Sequence, residues 1–221
     1  VALGLLAAVH VALQLLPIED ANWATLALAF IPARYGGGMA QELPGGWEAG
    51  VASFVTYQLV HADITHLLVN CAWLLAFGGA VARRIGPARF FVFATLCGAA
   101  GALLFLLLRW GELVPVVGAS GAVSGLMAAA LRFFFGAADR GDLGQLHSAP
   151  DTVPLIGLAE TLTNRRILTV VAVWIVINFV MALAVPASLS EGGIAWEVHL
   201  GGFVVGLLTF GAFDPPSQRA S

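Results

Sequence analysis

Apolar residues along this chain gather into six runs, at 1–16, 66–81, 87–108, 120–135, 167–185 and 199–213. The runs are rich in Leu and Ala and lack the period-two alternation of a barrel strand, and each approaches the ~20 residues an α-helix needs to cross a bilayer core. Backbone N–H and C=O groups must find partners inside lipid, so helices are the economical reading. The pattern predicts an all-α polytopic membrane protein, a six-transmembrane-helix bundle forming one domain over 1–221 with both ends on one side. Two connections are long. Residues 17–65 carry the turn signals "YGGG" and "LPGGW" around an apolar "WATLALAFIPA", which predicts interfacial structure lying on the bilayer. Residues 136–166 are polar and proline-containing. The opening "VALGLLAAVHVALQLLP" has no basic n-region and leads into further spans, so it reads as a first span rather than a cleaved signal peptide, and its initial Val as a processed or trimmed start.

Composition strengthens the membrane reading. Hydrophobic residues make up 59% of the 221, and charged residues only 10%, against about 25% in a soluble domain. The net charge of -3 excludes the basic footprint of a nucleic-acid binder, so partners are expected in the lipid bilayer. Every basic residue is Arg. Starting the first span inside puts Arg83, Arg84, Arg89, Arg132, Arg140, Arg165, Arg166 and Arg219 on or near the cytoplasmic side and leaves Arg34 and Arg109 outside. That positive-inside bias predicts cytoplasmic termini. Arg without Lys in a compact layout leans toward a bacterial inner membrane. Cys71 and Cys97 fall in apolar runs and read as small core residues, not a disulfide or a metal site. No cofactor is predicted.

In this orientation the runs beginning at His66, Ser120 and His199 all head inward. They are short, and at 1.5 Å per residue they cover roughly 22 to 24 Å of a core of roughly 30 Å. Three polar residues are therefore expected at one depth below the outer boundary. Asn70 follows His66 by one turn on the same face. Such groups are costly against lipid and should face the bundle interior, either as interhelical glue or as chemistry. Ser120, just after Gly118, suits an N-cap. It also suits a nucleophile, because the free N–H groups and positive dipole end of its helix could stabilise a negative oxygen. Gly121 and Gly125, and Gly202 and Gly206, give two helices small faces that permit close approach. His10 has no motif behind it and reads as packing or interfacial.

"GASG" at 118–121, "HADITHLLVN" at 61–70, "WEVHLGGFVVGLL" at 196–208 and "FGGAVARRIG" at 77–86 together resemble the rhomboid family of intramembrane serine proteases, over roughly 56–213. The resemblance implies a serine–histidine dyad opening toward the outer side and cleaving single-span or membrane-anchored protein substrates in or near their transmembrane segments. Carried onto this chain, it makes Ser120 the nucleophile and His199 the general base. It builds the oxyanion hole from the Ser120 N–H, His66 and Asn70, and puts His61 near a water-filled mouth. The family works as a dyad, so neither Asp63 nor Glu197 is required as a third member. Three positions depart from the pattern. Ser124 stands where some relatives carry an aromatic residue against which the histidine stacks, Ala82 where the family often has Glu, and Val198 where it favours Ala.

Two other classes were weighed. A catalytically inactive rhomboid-like protein that binds or escorts membrane clients usually lacks the serine or the histidine, and both are present here. A small transporter or channel would show charges near mid-membrane or helices broken in paired positions, and the spans show neither clearly.

Overall fold

The computed structural model describes residues 1–37, 42–184 and 195–214; Gly38 of the "YGGG" signal, Val185 at the end of the fifth predicted span, and Arg219 lie outside them. The described elements are α1 Ala2–Gln14, α2 Ile18–Leu28, α3 Gly46–Thr56, α4 Ile64–Trp73, α5 Gly79–Ile85, α6 Pro87–Leu108, α7 Ser120–Arg140, α8 Leu143–Ser148, α9 Leu158–Thr163, α10 Arg165–Ala184 and α11 Trp196–Phe213. A π-helical turn, Leu74–Gly78, joins α4 to α5, and together they form one span, Ile64–Ile85. Among the described residues five helices are long and apolar enough to cross a membrane; α1 is apolar but shorter. Among the described residues the only β pairing is an isolated bridge between Phe30 and Val116.

Helix α7 forms the centre. It is buried on nearly every side, whereas α10 is buried on almost none. The sequence explains the difference. Ala122, Gly125, Ala128, Ala129, Gly136 and Ala137 keep α7 thin enough for neighbours to close around it, the small-residue strategy of helices that pack without a hydrophobic drive from water. Val173, Val176, Ile177, Phe179 and Val180 of α10 instead stand exposed, as lipid-facing side chains do.

Local chemistry fixes the helix ends. Asp63 caps α4 by accepting the His66 N–H at 2.8 Å. Gly86 breaks the chain between α5 and α6 at a φ of 79°, and Pro87 starts α6 where its missing N–H costs nothing. Gly141, in the left-handed region, closes α7.

The connection over 17–65 contains α2, α3 and two short 3-10 turns. Arg34 staples it: the buried guanidinium donates to the carbonyls of Gly46, Leu26 and Pro44 at 3.1, 2.8 and 2.9 Å. On the opposite side, Arg84 makes a fully buried bidentate pair with Asp214 at 2.6 and 2.9 Å and also donates to the Pro150 and Val153 carbonyls. The C-terminal end of the span Ile64–Ile85 is thus closed through Arg84, although Ala82 carries no polar group.

Candidate active site

The site residues come from three helices and one loop. The loop before α7 is anchored by the Gly118 N–H, which donates to the Tyr57 carbonyl at 2.9 Å. Tyr57 in turn donates its hydroxyl to the Gly98 carbonyl of α6 at 2.7 Å. Gly118 then has a φ of 118°, and a Cβ on it would lie 2.7 Å from the His66 ring and 3.9 Å from the Asn70 amide. Both the backbone angle and the space therefore demand glycine. This close approach lays His66 and Asn70 against the start of α7.

Ser120 is the first residue of α7. The N-cap is Ala119, and no side chain closes the end. The capping role considered for Ser120 is not the one observed. As the first N–H of a helix, the Ser120 amide has no intrahelical acceptor. The side chain is half-buried, neither sealed in protein nor fully exposed.

His199 reaches this region because α11 packs on α7 at nearly backbone distance. A Cβ on Gly202 would collide with the Gly121 carbonyl, and one on Gly206 would lie 2.5 Å from Gly125 Cα. Gly121 also faces Val198, with 2.9 Å from its would-be Cβ to Val198 Cγ1. The glycines flanking Ser120 and His199 thus touch each other's helices. Val198, which departs from the family's Ala, fits because Gly121 and Gly101 both yield it room. Among the described residues no hydrogen bond joins Ser120 Oγ to His199; such bonds are often long until substrate is bound.

Most of the remaining polar groups have definite partners, but His61 Nδ1 is buried and, among the described residues, without a hydrogen-bond partner. Asn70 donates to the His66 carbonyl at 3.0 Å, which leaves its second amide hydrogen. His61 is buried, its ring 5.1 Å from that of His66, and its Nε2 accepts from the Ala119 N–H at 3.5 Å. Burial, and then the neighbouring His66, push His61 down to about 4, so it is a neutral acceptor at pH 7. Glu197 is buried and bound to Arg109 at 2.8 Å, and Asp63 is occupied in capping α4. Neither carboxylate is bonded to His199. Ser124 donates to the Ser120 carbonyl at 2.8 Å, a one-turn back-bond common for Ser inside a helix. His10 is buried, in keeping with packing. Cys97 is free and buried, Cys71 free and half-buried.

One residue of this region went unread in the sequence. His199 Nδ1 lies 2.5 Å from Asn178 Oδ1 of α10. The available signal was a single carboxamide in the apolar "VAVWIVINFVMAL", which lipid exposure would penalise.

The set can do acyl-transfer chemistry: a hydroxyl at the positive N-terminal end of its own helix α7, a histidine from neighbouring α11, and the side chains of His66 and Asn70 from α4. A family model, the Rhomboid domain, matches residues 48–213. No curated protein matches the chain.

Proposed function

The chain belongs to the rhomboid family, and from that premise we propose that it is an intramembrane serine endopeptidase that hydrolyses peptide bonds in or near the transmembrane segments of membrane-anchored proteins. Ser120 Oγ attacks the scissile carbonyl carbon while His199 Nε2 takes its proton. The resulting oxyanion is stabilised by the Ser120 N–H and the side chains of His66 and Asn70. Collapse breaks the C–N bond, and His199 returns the proton to the leaving amine. Water, activated by His199 in its turn, then hydrolyses the Ser120 ester.

The observation that carries this reading is the double glycine contact. Gly118 against His66 and Asn70, and Gly121 against Val198 and Gly202, leave nucleophile, oxyanion donors and base on adjoining turns. The half-buried state of Ser120 is compatible with admission of water and an extended peptide. We further propose that the protein sits in a bacterial inner membrane with cytoplasmic termini and a site opening outward, since the arginine distribution favours that orientation.

Labelling by a serine-directed fluorophosphonate tests the nucleophile. The protein in detergent should label, and Ser120→Ala should not. Equal labelling of both would contradict the assignment.

A further inference from the structure

Resting on the protease reading above, we propose that Asn178 is a positioning residue for His199, holding the imidazole in the tautomer whose Nε2 can accept the Ser120 proton. Asn178 Nδ2 donates to the Trp174 carbonyl one turn back at 2.7 Å. A carbonyl only accepts, so this bond identifies the nitrogen end of the carboxamide and leaves Oδ1 facing His199. Oδ1 lies 2.5 Å from Nδ1, and it too only accepts. The hydrogen must therefore sit on Nδ1. In a neutral ring the lone pair is then on Nε2, the nitrogen free to turn toward Ser120.

The bond also serves the charged intermediate. When Nε2 takes a proton, Nδ1 remains a donor, and the same hydrogen bond becomes charge-assisted and stronger. Among the described residues, no other hydrogen-bond partner of His199 supplies this function. Position 124, where an aromatic support would stand, holds a Ser bonded to its own helix. Glu197 is held by Arg109 and Asp63 by the start of α4. Helix α10 is held in register beside α11 by stacking of Trp174 on Phe203, with centroids 4.9 Å apart, and by Phe179 against Trp196. Those contacts fix the turn of α10 that carries Asn178.

A carboxamide that merely glued two helices would affect folding alone, so the test separates orientation from stability. Cleavage of a single-span substrate by wild type, Asn178→Ala and Asn178→Asp should be measured against pH, and His199 followed by 15N NMR in the same micelles. Titratable side chains on the surrounding elements include His10, His61, Asp63, His66, Tyr57, Cys97, Arg109, Glu112 and Glu197, so the 15N titration assigns the acidic limb to His199. The expected results are an Nδ1–H tautomer in the wild type and, in Asn178→Ala, loss of that preference with kcat lowered about tenfold to a thousandfold at nearly unchanged KM; removing the orienting carboxylate of a serine protease costs about 10⁴. Asn178→Asp retains an acceptor and should recover most of kcat, with the acidic limb moved upward because a carboxylate favours the imidazolium.

An Nε2–H tautomer in the wild type would overturn the proposal, as would an Asn178→Ala enzyme with unchanged kcat. Equal loss of activity and of folded protein in both variants, with the His199 tautomer unmoved, would reduce Asn178 to glue and overturn it as well. The tautomer is read without turnover. A wild type that holds Nδ1–H yet cleaves nothing contradicts the protease reading and leaves the Asn178–His199 bond standing.

Discussion

Four side chains assigned to chemistry, Ser120, His199, His66 and Asn70, could be picked from the sequence because polar residues in apolar helices are few and costly. What each one touches was not legible there. Gly118 looked like a turn residue, and the structure makes it the point where the α7 loop meets the His66 ring. Ser120 looked equally like a cap, yet the capping position falls on Ala119. Asn178 passed unread because its value depends on a partner 21 residues away on a helix whose rotation no periodicity reveals. The proposed roles differ in what their loss should do. His199→Ala removes the proposed general base and should abolish turnover. Asn70→Ala removes one of several oxyanion donors and should leave slow activity, down by about 10²–10³ in kcat. Initial rates on one substrate check the pair, and the reverse order would contradict the assignments.

At the scale of elements, the run at 87–108 coincides with α6 because Gly86–Pro87 stops the chain sharply on one side and Arg109 marks the other. Three other helices run longer than their apolar stretches. Helix α4 starts at Ile64, where Asp63 caps it, and α11 at Trp196. Helix α7 continues through Arg132 to Arg140, its buried charge satisfied by the carbonyls of Ile156 and Leu207. Hydropathy could not see that continuation. The common depth expected from three short spans therefore does not follow from helix length. The side-by-side contacts of Gly118 with His66 and Gly121 with Gly202 are what align the groups. The α7–α11 contact has its own prediction. Gly202→Leu drives a side chain into the Gly121 carbonyl and must push the helices apart. It should lower the midpoint of thermal unfolding in detergent and depress cleavage together; overpacking of a tight interface typically costs about 1–3 kcal/mol. Unchanged stability and activity would mean that the approach is not needed.

At the scale of the whole molecule, hydropathy and composition were enough for an all-α polytopic bundle, and the family match over 48–213 agrees with it. The tie between α5 and the end of α11 was not legible, since Arg84 and Asp214 stand 130 residues apart. Both side chains are fully buried, so removing one partner strands the other's charge. Asp214→Asn should destabilise the fold by about 3–5 kcal/mol while leaving the site geometry intact in the protein that remains folded. Unfolding curves with activity normalised to the folded fraction check both halves. Intramembrane proteolysis by Ser120 is tested by cleavage of a single-span substrate co-reconstituted in liposomes with the wild-type protein or with Ser120→Ala. The wild type should cleave in or near the membrane segment and Ser120→Ala should not; equal cleavage by both would rule out Ser120 as the nucleophile.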